Sequence, residues 1–158
     1  MQKNFPENLE IYRVKNDCTG TAAQFQFSAE KKCIFLEMAR QTKEKDKNGF
    51  ATFDWANKIV FKLGAIDIGE ILCVLNGKKF GTGQHQGDNV YKGLFHSNND
   101  GNSILKFERG KTSGYYLDLS VKKNDSNPIR MSLNIGDSES EIMRLVFEDA
   151  IKSIYCWK

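Results

Sequence analysis

The chain has 158 residues, 40% of them hydrophobic, which fits one domain, or two fused half-domains around one core. Its net charge of +3 is only mildly basic and selects no partner by itself. No run approaches the roughly 20 apolar residues of a membrane span, and the opening MQKNFPENLE lacks the apolar stretch of a signal peptide, so the expectation is a soluble, intracellular protein.

In chain order, Leu9 to Lys15, Thr21 to Ser28 and Cys33 to Arg40 are short, partly alternating and rich in β-branched or aromatic residues, which predicts strands. Asn16-Asp17 with Gly20, and Glu30-Lys31-Lys32, are the turns between them. Thr42 to Gly49 is a charged loop too polar to be packed. Lys58 to Leu63 is a fourth strand, with Ile59, Phe61 and Leu63 on a buried face and Lys58, Val60 and Lys62 on a wet one. From Ala65 the period becomes helical through Ile68, Ile71, Leu72 and Leu75, and Asn76-Gly77 supplies a left-handed stop.

A Gly-rich stretch, Lys78 to Asn89, reads as a flexible loop and lacks the spacing and ending of a phosphate-binding P-loop. The scheme then repeats with strands Val90 to His96, Ser103 to Arg109, Tyr115 to Lys122 and Ile129 to Ile135. Turn signals at Asn98 to Gly101, Gly110 to Gly114 and Asn124 to Pro128 separate them. Ser138 with Glu141 predicts a capping box that opens a last helix, with Ile142, Leu145, Val146, Ala150 and Ile154 as its apolar stripe. The fold class is therefore α+β, four strands and a helix occurring twice, with halves at about 8–77 and 90–157 of a single domain 1–158.

Charge follows this organisation. Residues 1–64 hold 11 Lys and Arg against 8 acids and residues 77–136 hold 9 against 5, whereas the helical stretches 65–76 and 137–158 are each net −2. An anionic partner would be drawn to the sheets rather than the helices. The neutral reading is that these charges only solvate a surface.

Catalytic signals are poor. With His85 and His96 as the only histidines, no nucleophile-base constellation can be built, and Glu148-Asp149 are adjacent on a helix and face different ways. Cys18, Cys33, Cys73 and Cys156 show no C-x-x-C spacing and lie mostly in apolar-periodic segments, which predicts buried reduced thiols and no metal or cofactor. The sequon Asn124-Asp125-Ser126 has no meaning in an intracellular chain.

Single strands of nucleic acid are held without sequence preference where Lys and Arg track phosphates and aromatic faces stack bases. The strands interleave those types. Arg13 and Lys15 share a face of the first strand, Gln24 and Gln26 the polar face of the second, and Lys106 lies near Glu108. Phe35, Phe95, Tyr115 and Tyr116 are the stacking candidates, each competing with a place in the core. Thr21, Lys32, Lys58, His96 and Lys122 complete the set, while Trp55 and Trp157 are assigned to packing.

The turn Phe53-Asp54-Trp55, the strand Lys58 to Leu63, the helix opening Ile66 to Gly69, the pair Phe95-His96, Ile104 to Glu108, Gly114 to Val121 and Tyr155-Cys156-Trp157 together resemble the Whirly family of single-stranded DNA-binding proteins. The resemblance runs in order over about residues 9–157. It implies two four-stranded antiparallel sheets packed crosswise, a helix after each, and a homo-oligomer, tetramer before dimer, that lays single-stranded DNA along the sheets. The family's lysine-glycine-lysine-alanine-alanine element corresponds here to Thr19-Gly20-Thr21-Ala22-Ala23, without either lysine. Neighbouring Lys15, Lys31 and Lys32 are placed to supply that charge. Two other readings stand beside DNA binding: an RNA-binding or annealing factor, and a non-catalytic oligomeric interaction module.

Overall fold

A computed structural model describes residues 8–156, and Trp157 lies outside them. The first sheet has strands β1 (Asn8–Arg13), β2 (Thr21–Ser28) and β3 (Cys33–Lys45) in a meander, with β4 (Ala51–Phe53) and β5 (Ile59–Leu63) both returning against β3. Helix α1 (Ala65–Leu75) follows. A small hairpin, β6 (His85–Gly87) with β7 (Val90–Tyr91), precedes the second meander: β8 (Leu94–Asn98), β9 (Gly101–Arg109), β10 (Tyr115–Lys123) and β11 (Ile129–Ile135). Helix α2 (Asp137–Tyr155) closes it. All the ladders are antiparallel, and a single apolar core joins both sheets to both helices.

Side-chain alternation decides what each strand buries. Leu9, Phe25, Leu36 and Phe61 line up across the first sheet on the core side, with Ile11, Ala23, Met38 and Ile59 in the next row. In the second sheet Leu94, Leu105, Leu119 and Met131 form one inward row, and Phe107, Leu117 and Leu133 another. Phe25 meets Phe147 of α2 edge-on at 5.5 Å between ring centres.

Five expectations change. The stretch Thr42 to Gly49 is not simply a loop: β3 continues to Lys45 and pairs with β4, making five strands where four were expected. An arm with both faces wet needs only its ladder and local polar bonds, and here the Thr42 and Thr52 hydroxyls bond each other. The Gly-rich loop is tied down rather than loose. Thr82 is fully buried, its amide donates to the Phe107 carbonyl of β9, and its hydroxyl accepts from the Phe107 amide at 3.1 Å. Gly83 and Gly93 both have positive φ, and a β-carbon on Gly83 would overlap the Gly93 carbonyl, so glycine is required there.

Helix α2 starts at Asp137 with Gly136 as its N-cap, so Ser138 and Glu141 lie inside it. Its buried face is Met143, Phe147, Ala150 and Ile154, while Ile142, Leu145 and Val146 are exposed. Five of the six residues from Ile142 to Phe147 are apolar, so helical periodicity fits more than one face and only packing chooses between them. Of the four cysteines, which are all unbridged, only Cys33 is buried, where burial pushes its thiol pKa up. Cys156 is exposed because it is the left-handed residue that ends α2. Trp55 sits half-buried in a short 3-10 turn, Trp55–Asn57.

Candidate nucleic-acid interface

The outward face of the first sheet is set by register. Asn8, Gln26, Phe35 and Lys62 form one row, and Glu10, Gln24, Glu37 and Val60 the next. The structure therefore brings Gln24, Gln26 and Phe35 together, with Lys58 just outside β5 paired to Glu37. The Lys31 ammonium lies 5.4 Å from the Phe35 ring centre. At the far end of the face Tyr12 meets Phe53 at 5.4 Å, and the outward alanines Ala22 and Ala39 are fully buried. Burial first, and then Glu10, which accepts from the Tyr12 hydroxyl at 2.7 Å, push the Tyr12 pKa up to about 12. The phenol is thus a neutral donor at physiological pH.

On the outward face of the second sheet Phe95, Ile104, Ser120 and Arg130 make one row, followed by Lys106, Asp118 and Ser132, and then Glu108, Tyr116 and Asn134. Lys122 lies beside Asn102 at the other end. Phe95 is 61% exposed, an aromatic face between two lysine positions, Lys106 and Lys122. Asp118 is 5% exposed and is held by Arg130, whose Nε donates at 2.7 Å; that carboxylate raises the Arg130 pKa further. The ion pair keeps a buried carboxylate compensated in the middle of this face.

Arg13, Lys15 and Thr21 fall elsewhere. Arg13 has the core-side parity of β1, so it does not share a face with Gln24 and Gln26. It reaches across to Glu139 of α2, donating to it from both terminal nitrogens, and this bond holds the Glu139 pKa below the usual carboxylate value. Lys15 lies past the end of β1, and Thr21 is 8% exposed between Arg13 and Arg40. These residues line a groove of about 580 Å3 between the end of the first sheet and strand β11. Gln41 builds one wall: its amide donates to the Lys15 carbonyl at 3.1 Å and accepts from the Lys15 and Gly20 amides. Arg40 and Arg130 complete the lining, and the sequence reading named neither. Arg130 was within reach, since Met131, Leu133 and Ile135 alternate inward and leave it outward. Arg40 was not, because its parity matches core residues Leu36 and Met38.

Three candidates leave the faces altogether. Tyr115 has core parity, stacks on Phe107 at 5.2 Å and donates its hydroxyl to the Leu75 carbonyl at 3.4 Å, so its ring is not presented to a base. His96 lies flat on buried Phe61 at 4.2 Å between ring centres, with Nε2 3.0 Å from Asp67 Oδ2. Lys32 occupies the β2–β3 turn with φ +52°.

The two helix starts repeat one device. Each N-cap is a glycine whose amide donates to the acid three residues on, Gly64 to Asp67 at 3.0 Å and Gly136 to Glu139 at 2.9 Å. Each acid also holds a side chain from the first strand of the opposite sheet: Asp67 meets His96 of β8, and Glu139 meets Arg13 of β1. Among the described residues no group of three His, Cys, Asp or Glu could hold a metal ion, and no helix is long and apolar enough to cross a membrane.

Comparison with known proteins agrees with this architecture. A family model described as "Whirly transcription factor" matches residues 21–146. The plant transcriptional regulator PBF-2 shares the fold with a TM-score of 0.68 at 20% identity, over 95% of this chain and 82% of that one. MRP1/MRP2 of Trypanosoma brucei gives a TM-score of 0.66 at 18% identity, over 94% and 93%. No curated protein matches the sequence significantly.

Proposed function

This chain belongs to the Whirly family, and from that premise we propose that it binds single-stranded DNA with little sequence preference, as a regulator of transcription or in DNA maintenance. The observation that carries the reading is the pairing of an outward aromatic with lysine on each sheet: Phe35 in register with Lys62 on the first, Phe95 between Lys106 and Lys122 on the second. An unpaired strand exposes base faces and a continuous phosphate charge together, which a duplex does not, and such pairs meet both. Each stacked base contributes about 1 to 3 kcal/mol and each neutralised phosphate adds a salt-sensitive increment.

The role is one of binding rather than catalysis, and it includes a homo-oligomer, tetramer ahead of dimer, with the two sheets packed crosswise. Ile142, Leu145 and Val146 support the assembly: they occupy one stripe of α2 and are each 41–52% exposed, an apolar face that suits a second copy of the chain.

The test is fluorescence anisotropy of a labelled single strand about 30 nucleotides long, enough to span more than one sheet. The same-sequence duplex and the matching RNA serve as competitors, at two salt concentrations. Binding that weakens with salt and resists the duplex supports the proposal. Displacement by RNA transfers the protein to RNA binding, and failure of all three to bind removes nucleic acid from its function.

A further inference from the structure

The fold contains a second groove equivalent to the one beside β11. That first groove is made by the last strand of the second sheet (β11), the opening hairpin of the first sheet (β1–β2) and its third strand (β3). A groove of about 740 Å3 lies between the last strand of the first sheet (β5), the opening hairpin of the second (β8–β9) and its third strand (β10). The roles of the two sheets are exchanged. The helix-capping acids follow the same exchange, because the side chain each one holds lines the corresponding groove: Arg13 in the first, His96 in the second.

The two linings differ in chemistry. The first gathers Arg13, Lys15, Arg40 and Arg130 with no acid in its lining, and Arg40 has no carboxylate partner among the described residues. Arg40 and Arg130 can each grip a phosphate with two parallel N–H donors. The second gathers Lys62, Lys122 and Lys123, with Asp100 among them and the exposed ring of Phe95 at its side. Lysines attract phosphate as point charges, and Asp100 subtracts from that attraction.

We infer that each chain holds two separate segments of single-stranded nucleic acid, a tighter one in the arginine groove and a weaker one in the lysine groove. This rests on the single-strand reading above and adds to it a count and an order of affinity. A chain with two such grooves can keep two strands, or two parts of one looped strand, on the same core.

The experiment is a titration of the full chain with an oligothymidylate of about eight nucleotides, short enough to fill one groove. Calorimetry gives the count per chain, and native mass spectrometry checks it. The expected result is two bound oligonucleotides per chain with separable affinities. K15A/R40A should weaken the tighter event by about tenfold at low salt through loss of phosphate contacts, and K122A/K123A should remove the weaker one. Both pairs spare Arg130 and so leave Asp118 compensated; circular dichroism melts confirm folding. One oligonucleotide per chain, or both pairs weakening the same event, overturns the inference and leaves single-strand binding intact. Absence of any binding overturns both.

Discussion

The first strands of the two sheets, β1 and β8, are attached to the rest of the molecule by the same kind of bond with different strength built in. Arg13 presents a permanent charge to Glu139 through two nitrogens, whereas His96 offers Asp67 one nitrogen and lies flat on Phe61. The first sheet is then extended by a wet hairpin arm, and the second by a loop whose Thr82 enters the core. One architecture is therefore secured mainly by charge on one side and mainly by packing on the other.

Removing core volume tests how far packing dominates. Phe147→Ala should destabilise by about 3–5 kcal/mol, since the ring is fully buried against Phe25, and Ile71→Ala in α1 by about 2–5 kcal/mol. Urea denaturation measures both; a smaller loss for Phe147 than for Ile71 would reverse the ranking of the helices as anchors. Next come two turn glycines. Gly83→Ala should cost about 1–3 kcal/mol because it adds overlap with Gly93 to a left-handed backbone, whereas Gly49→Ala in the arm meets no atom within 4 Å and should cost about 1 kcal/mol. Equal midpoints for the two variants would mean that the loop is not tied as described.

The bonds to the capping acids come third. Glu139→Gln should lower stability by about 1 kcal/mol at neutral pH. The sign of its pH dependence follows from the lowered pKa of Glu139: the contribution is complete above the usual value of 4.5 and is lost as pH falls through the depressed folded value. Wild type and variant should thus converge on acidification in thermal melts, and a gap that widens instead would contradict the assignment. The smallest effects lie on the outward faces. Lys62→Ala and Lys106→Ala should each weaken single-strand binding less than tenfold and lower the salt slope by about one. A changed slope for only one of them would confine the bound strand to that sheet.

The strands and α1 were legible because alternation and helical period are local. Ile59, Phe61 and Leu63 announce a half-buried strand, and Asn76-Gly77 announces the stop after α1. What was not legible depends on partners distant in sequence. Nothing near Arg13 shows that Glu139 will claim it, and Tyr115 looks like its neighbour Tyr116 until the register turns one ring to Phe107 and the other outward. The α2 stripe failed for a related reason, because Met143 and Phe147 are as apolar as the exposed Ile142, Leu145 and Val146. Phe35, Phe95, Lys106 and Lys122 were candidates by residue type, and the strand register puts all four on outward faces.

The bond between Arg13 and Glu139 spans 126 residues. On the ribosome, β1 emerges with the whole second sheet still unmade, and Phe25 waits nearly as long for Phe147. A nascent first sheet has its own ladder but neither its final helix nor the acid that holds its edge, so its apolar face stays open until α2 has emerged. That interval is when the chain is most exposed to aggregation and to chaperones.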